Sequence, residues 1–127
     1  KLPQSSLSTT SSTVGGGRII NIGSIAAFSP RPHSAPYTTS KFAIQGLTQS
    51  LALDARPYGI AVGIIHPGNV WSQMLSKEEA ERRDREEGLL HASSVADCVV
   101  TMANLPYEAN VLEMTVMPTR QPLVGRG

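Results

Sequence analysis

Two runs of mostly apolar, β-branched residues constrain the fold of this chain more than any other feature. They are RIINI at residues 18–22 and GIAVGII at residues 59–65, and neither alternates apolar with polar side chains. A strand that is covered on both faces shows such a continuous pattern, whereas a strand with one face in water alternates. Both runs therefore predict buried strands of a parallel sheet.

A long helix is predicted between these two strands. Ile44, Leu47 and Leu51 recur at helical spacing within residues 35–56, and Pro57 follows as a stop signal. Parallel neighbours need a crossover of this kind, because a tight hairpin turn joins only antiparallel strands.

Two further helices and a third strand are predicted in the second half. Ser76 and Glu79 form a capping box that opens a charged helix, and Ser94 with Asp97 opens the helix VADCVVTMANL. The segment NVLEMTVMP then predicts a strand. This alternation of strands and helices is typical of a parallel α/β sheet with right-handed crossovers.

The charged helix carries glutamates four residues ahead of arginines, an arrangement that stabilises a helix. We interpret its charge run as a solvated face. The expected pairs are Glu78/Arg82, Glu79/Arg83 and Glu81/Arg85.

Composition excludes several classes of function. A chain of 127 residues with a net charge of +1 holds at most one domain and has no basic surface for nucleic acid or an anionic membrane. It has no apolar run long enough to span a bilayer, so we expect a soluble, cytoplasmic protein without membrane partners.

Residues 1–17, rich in Ser, Thr and Gly, predict a flexible segment, and residues 18–127 the folded part. Because it begins with Lys1 rather than Met, we expect that the chain has lost its true start.

Tyr37 and Lys41 share one helical face, because residues four apart lie one above the other. An ammonium group near a phenol favours the phenolate and lowers its pKa, which would suit Tyr37 to proton transfer. Taken alone the spacing is common, and two surface side chains explain it better than a catalytic pair does.

The neighbouring motifs favour the catalytic alternative. Ser24 follows the first buried strand, and the second strand ends in HPGNV. Open parallel sheets bind ligands at the carboxyl ends of their strands, so a hydroxyl, a phenol and a glycine turn are expected at one edge. There the glycine would let the backbone approach a ligand closely.

These motifs resemble the short-chain dehydrogenase/reductase family over residues 18–127. RIINIGS resembles the family's strand that ends in the catalytic serine, YTTSK fits its Tyr-x-x-x-Lys signature, and HPGNVWS resembles its Pro-Gly-x-Val-x-Thr segment. The resemblance implies a Rossmann-type three-layer α/β fold, of which this chain would hold the C-terminal half. It also implies an NAD(P)-dependent oxidoreductase that interconverts a secondary alcohol and a carbonyl.

The resemblance also implies a role for each residue. Tyr37 is the expected general acid/base, Lys41 lowers the tyrosine pKa and binds the nicotinamide ribose, and Ser24 orients the substrate carbonyl. Four residues are expected to line the nicotinamide pocket together with Tyr37 and Lys41: Pro67, Gly68, Val70 and Ser72.

The cofactor-binding first half of the family is missing from this sequence. No G-x-x-x-G-x-G pattern occurs, and GGG at residues 15–17 precedes a strand rather than following one. The chain is therefore expected to be a fragment, and its first strand would have a bare, apolar edge. A catalytically silent remnant that acts as an interaction module is the alternative.

The C-terminal segment resembles that of NADP-dependent 3-hydroxy acid and serine dehydrogenases, which favours NADP over NAD. The resemblance also implies assembly, because the family forms homodimers or homotetramers.

The remaining chemical groups favour structural interpretations. We interpret His66 as structural, His33 as an exposed loop residue near the site, and Cys98 as a buried, inert thiol. For Trp71 two interpretations remain open: a wall of the substrate pocket and a surface position. The histidines and the single cysteine show no metal-ligand spacing, so no metal is predicted.

Overall fold

The structure, a computed structural model, describes residues 16–125. Its elements follow the predicted alternation of strands and helices. In chain order they are β1 (Arg18–Ile22), α1 (Ala35–Ala55), β2 (Ala61–Pro67), α2 (Lys77–Glu86), α3 (Ala92–Ala103) and β3 (Glu113–Val116), with 3-10 turns at Ile25–Ala27 and Arg56–Tyr58.

The three strands form one parallel sheet in the order β1-β2-β3. Arg18 pairs with Ala61 at one end of the β1–β2 ladder, and Ile22 pairs with Ile65 at the other. The ladder between β2 and β3 runs from Ile64 paired with Glu113 onwards. All carboxyl ends of the strands therefore lie at one edge, as the sequence predicted.

Helices cover both faces of the sheet. On one face, Asn21 of β1 donates its side-chain amide to Thr48 of α1 at 2.9 Å. Successive strand residues point to opposite faces, and Gly63 of β2 faces Met102 of α3, whose methyl group would lie 3.4 Å from a Cβ at Gly63. This is the three-layer arrangement of a Rossmann-type α/β fold, and it confirms the predicted fold class.

The core is centred on β2, the middle strand. Its interior is buried throughout, and Ile65 and His66 have no exposed surface. Gly63 lets the chain ahead of β3 come close, since a Cβ there would lie 2.2 Å from the Val111 carbonyl oxygen. The unbroken apolar run in the sequence reflects this burial on both faces.

The apolar stripe expected on α1 is only partly buried. Ile44 and Leu51 are half-buried, whereas Leu47 is exposed. The helix instead contacts the sheet through Thr48, which is buried and bonded to Asn21. A polar contact has taken the place of the apolar one that the spacing suggested.

The start of α2 is confirmed and that of α3 is corrected. Ser76 caps α2 and accepts a hydrogen bond from the Glu79 amide. Ser94 caps nothing, because α3 begins at Ala92 with His91 as its N-cap. The physical reason is a parallel bridge between Val70 and Leu90, which holds the chain extended until just before the helix.

The ion pairs on α2 also differ from the expected set. Glu79 pairs with Arg83 as predicted, at 2.6 Å. Arg82 pairs with Glu79 and Glu86, at 2.8 Å each, rather than with Glu78. Two arginines thus share one carboxylate, and they lower the pKa of Glu79 to about 2.

The predicted flexible segment lies outside the described residues except for Gly16 and Gly17. The Gly17 carbonyl accepts a hydrogen bond from Ala61 at 3.0 Å, which extends the β1–β2 ladder by one residue. Within the described part of the chain, no helix is both long enough and apolar enough to cross a membrane.

Candidate active site

Ser24 is held in a fixed conformation immediately after β1. It is buried, and its extended backbone makes it the N-cap of the 3-10 turn Ile25–Ala27. Its hydroxyl oxygen accepts a hydrogen bond from the Ala26 amide at 3.1 Å. That contact uses an acceptor site of the hydroxyl and leaves its single O–H donor for another group.

Tyr37 and Lys41 lie at the start of α1, which the loop after the 3-10 turn brings back over the end of β1. The Lys41 ammonium donates a hydrogen bond to the Ile22 carbonyl oxygen at 3.3 Å. It also lies 5.6 Å from the centre of the Tyr37 ring, within the range of a cation–π contact. Half of the Tyr37 surface is exposed.

The three predicted catalytic residues therefore all lie near the carboxyl end of β1. Ile22, which Lys41 contacts, is the last residue of β1 and stands two positions before Ser24. Tyr37 lies against the same lysine. A hydroxyl, a phenol and an ammonium group are thus gathered at the carboxyl edge of a parallel sheet, where such folds bind their ligands.

The turn after β2 is tightly packed by the chain's own C-terminal segment. A Cβ on Gly68 would lie 2.2 Å from Gln121 Oε1 and 2.8 Å from Met117 Cβ. The Gly68 amide donates to the Val116 carbonyl at 2.7 Å. The need for glycine here is explained by this internal contact, whereas the sequence suggested close approach to a ligand.

The other expected pocket residues follow along the same segment. Pro67 ends β2, and Val70 forms the bridge to Leu90 that ties this segment to the start of α3. Ser72 is half-buried, and its carbonyl accepts a hydrogen bond from Leu75. All of them lie at the carboxyl end of the central strand or beyond it.

A polar network that the sequence did not reveal lies beside this turn. Asn69 is buried, donates its backbone amide to Gln121 Oε1 at 2.9 Å and donates its side-chain amide to Glu87 at 2.8 Å. Arg31, in the loop before α1, pairs with the same Glu87 carboxylate. The network joins the loop after β1, the turn after β2, the end of α2 and the C-terminal segment. Its partners are far apart in sequence, so no local signal indicates it.

The remaining candidates are placed as follows. His33 is exposed as expected and adopts a left-handed backbone with φ 59°. Trp71 is exposed by 56%, so it lines no closed pocket here. Cys98 is half-buried rather than buried, because α3 turns another residue, Met102, fully into the core. His66 is fully buried against Ser24.

A cavity of about 450 Å³ lies at the other end of the sheet and is lined by residues that include Ile60, Tyr107 and Asn110. These residues flank the amino-terminal end of β2. The cavity is therefore separate from the cluster at the carboxyl edge.

The end of the sheet fits the nicotinamide-ribose end of a dinucleotide. An ammonium group has three donors, and Lys41 uses one of them on Ile22, so donors remain for ribose hydroxyls. The described residues offer no comparable cradle for a pyrophosphate. Gly16 and Gly17 precede β1, and a Cβ on Gly16 would lie 2.1 Å from the Tyr107 ring.

Fold and site geometry together define a Rossmann-type α/β protein with polar groups gathered where such sheets bind nucleotides. The family model described as short chain dehydrogenase matches residues 6–83. The chain belongs to the short-chain dehydrogenase/reductase family.

Curated relatives carry oxidoreductase names. Sulfoacetaldehyde reductase 2 from Chromohalobacter salexigens is 32% identical over 121 residues, which are 91% of this chain and 48% of the relative. Trans-4-hydroxycyclohexanecarboxylate dehydrogenase from Sinomonas cyclohexanicum is 35% identical over 104 residues, 73% of this chain and 40% of the relative. The chain spans about half the length, or less, of the curated relatives that it matches.

Similar solved structures also carry the names of dehydrogenases. The closed form of serine dehydrogenase complexed with NADP+ matches with a TM-score of 0.77 at 25% identity. The match covers 87% of this chain and 48% of the dehydrogenase chain. Acetoin dehydrogenase YohF from Salmonella typhimurium has a TM-score of 0.68 at 26% identity, with 81% and 44% covered.

Proposed function

We propose that this chain is the catalytic half of an NAD(P)-dependent oxidoreductase that interconverts a secondary alcohol and a carbonyl. One observation carries the proposal: Lys41 bonds the last residue of β1, two positions before Ser24, and Tyr37 lies against the lysine. In this proposal the dinucleotide-binding half is supplied by chain that precedes the segments described above.

Each of the three residues has a role that its position supports. The exposed phenol of Tyr37 gives its proton to the carbonyl oxygen during reduction and takes it back during oxidation. Lys41, fixed by the Ile22 carbonyl, favours the phenolate and binds the ribose. The O–H of Ser24 donates to the substrate oxygen and stabilises its developing charge.

The cofactor in this proposal is NADP, with NAD as the alternative, and it exchanges the hydride. The residues that would hold its nicotinamide are those of the turn after β2: Pro67, Gly68, Val70 and Ser72. Support for NADP comes from similar structures, which include the serine dehydrogenase complexed with NADP+ and ElxO with NADP bound.

The proposed substrate is a small hydroxy acid or its oxo counterpart. The serine, hydroxycyclohexanecarboxylate and sulfoacetaldehyde enzymes all carry names of small anionic or zwitterionic substrates. We further propose that the whole protein works in the cytoplasm as a homodimer or homotetramer.

A second function is favoured by the exposed strand at the edge of the sheet. Ile19 and Ile22 of β1 are exposed by 38% and 50%, which is typical of a surface that pairs with another strand. A catalytically silent chain that acts as an interaction module would use this edge.

The test is a comparison of two tyrosine variants, Tyr37→Phe and Tyr58→Phe. Tyr58 is exposed in the 3-10 turn after α1, at the opposite end of that helix from Tyr37, so its variant is a matched control. We expect Tyr37→Phe to lower turnover of a hydroxy-acid panel at least about a hundredfold, as for loss of a general acid/base, and to leave NADPH binding intact. NADPH absorbance reports turnover and NADPH fluorescence reports binding.

The activity is measured on this polypeptide and on the product of its coding sequence extended upstream of Lys1. Equal turnover by both tyrosine variants would contradict the assignment of Tyr37. An upstream sequence without a glycine-rich turn, combined with no turnover by any form, would favour the interaction module.

A further inference from the structure

His66 is the most deeply enclosed ionisable side chain at the carboxyl edge of the sheet. It is the last residue before Pro67, and none of its surface is exposed. The ring edge of Phe28 packs against it, with the centroids 5.1 Å apart and the planes at 78°. A Cβ on Gly23 would lie 2.5 Å from His66 Nδ1, so the absence of a side chain at Gly23 makes room for the imidazole.

Both nitrogens of the ring face polar groups. Nδ1 lies 3.2 Å from the backbone amide of Ser24 and 3.0 Å from its backbone carbonyl oxygen. Nε2 lies 3.0 Å from Glu113 Oε1 of β3, at an angle outside hydrogen-bond geometry. Among residues 16–125, Glu113 is the group that faces this nitrogen. The imidazole thus stands between the backbone of Ser24 and a carboxylate on the third strand.

The charge of Glu113 selects one tautomer of the neutral ring. An ionised carboxylate can only accept, so it attracts an Nε2–H and repels the lone pair of a bare Nε2. With the proton on Nε2, Nδ1 is an acceptor and the Ser24 amide, 3.2 Å away, is the donor within reach, while the Ser24 carbonyl oxygen, 3.0 Å away, already accepts a hydrogen bond from the Ala27 amide. Glu113 therefore orients His66, and His66 in turn fixes the peptide unit that begins Ser24.

We propose that His66 is a positioning residue for Ser24, a role that rests on the proposed function. Ser24 is restrained at three places: its amide by His66 Nδ1, its hydroxyl oxygen by the Ala26 amide and its carbonyl oxygen by the Ala27 amide. With these restraints in place, the Ser24 O–H is the one donor of the residue still available to a substrate oxygen. Loss of the imidazole acceptor frees the peptide unit and lets the hydroxyl move from that position.

The first test uses His66→Asn and His66→Gln in the full-length protein. The amide oxygen of asparagine can replace Nδ1 and keep the contact to Ser24, whereas glutamine reaches the Nε2 position and keeps only the contact to Glu113. We expect His66→Gln to lower kcat about tenfold to a hundredfold with little change in cofactor KM, and His66→Asn to lose less. Equal loss in both variants, or a loss confined to KM, would overturn the role.

A double-mutant cycle separates positioning from general stability. In a Ser24→Ala background there is no hydroxyl to position, so His66→Gln should lower kcat little further. Additive losses in the two variants would show that His66 acts independently of Ser24 and would contradict the proposal.

The second test needs no activity. In wild-type protein labelled with ¹⁵N at histidine, the ring nitrogens of His66 should show a protonated Nε2 and a bare, hydrogen-bonded Nδ1. Protonation at Nδ1 would overturn the inference whatever the enzyme does. A wild-type protein without turnover that still has the expected tautomer would contradict the proposed function and end the catalytic role, while the orientation of His66 by Glu113 would stand.

Discussion

Gly23 illustrates at the scale of one residue how a missing side chain shapes the candidate site. A Cβ there would lie 2.5 Å and 2.8 Å from two atoms of the His66 ring and 2.9 Å from Ile64 Cδ1. The ring is enclosed on its other sides, so it has little room to retreat. Extra volume in such a place destabilises, because neighbours must leave their preferred conformations.

We predict that Gly23→Ala lowers the free energy of unfolding by about 1 to 3 kcal/mol, the usual range for overpacking. Gly46→Ala is the matched control, because a Cβ at Gly46 meets nothing within 4 Å. Gly46 is inside α1, where alanine is the better helix former, so this variant should gain up to about 1 kcal/mol. Urea unfolding measures both, and equal effects of the two substitutions would contradict the prediction.

At the scale of elements, the capping residues show what the sequence could and could not predict. The Ser76 cap followed from a local motif, and the structure confirms it. The same motif at Ser94 predicted wrongly, because the bridge between Val70 and Leu90 decides where α3 begins. A contact between segments twenty residues apart overrides a local preference, and one sequence shows only the local part.

We predict that Ser76→Ala and Ser94→Ala differ in stability. Loss of the Ser76 cap should cost about 1 kcal/mol, because the Glu79 amide loses its acceptor. Ser94 caps nothing and alanine favours the helix, so Ser94→Ala should stay within about 0.5 kcal/mol of wild type. Thermal unfolding of the two variants side by side gives the comparison; a larger loss for Ser94→Ala would mean that the helix begins at the motif after all.

The ion pairs of α2 give a prediction for pH. Hydrogen bonds from Arg82 and then Arg83 are the largest causes that lower the pKa of Glu79 to about 2 from its ordinary 4.5. A lowered pKa means that the folded state prefers the ionised form, so this contribution is complete above about pH 4.5 and is lost as the pH falls towards 2. Glu79→Gln should therefore flatten the pH dependence of thermal stability in that window. Added salt should weaken the effect, because the group is exposed; an unchanged profile in the variant would contradict the assignment.

At the scale of the whole molecule, the parallel sheet was largely predictable from the sequence, and the polar contacts around it were not. β2 is buried through its interior, and a strand covered on both faces shows this as an unbroken apolar run. β1 also coincides with its apolar run, but it is the edge strand of the described sheet and exposes Ile19 and Ile22, so its predicted burial was wrong. The link from Arg31 through Glu87 to Asn69 leaves no such record. It joins segments that meet only after folding. Each of its residues is of a polar or charged type that usually lies on the surface. His66 was likewise predicted as structural, but its partners Ser24 and Glu113 were not identifiable from the sequence.

The edge of the sheet leads to a prediction about assembly. Within residues 16–125, β1 pairs only with β2, so its other backbone edge is open, and its Ile19 side chain is exposed by 38%. A strand with an open, apolar edge pairs with further strands, and a lysine on such an edge opposes pairing. We therefore expect Ile19→Lys to reduce concentration-dependent self-association of this polypeptide in analytical ultracentrifugation. Leu53→Lys makes the same change on α1, at a side chain exposed by 63%, and should leave association unchanged. The reverse result would mean that copies meet through the long helix.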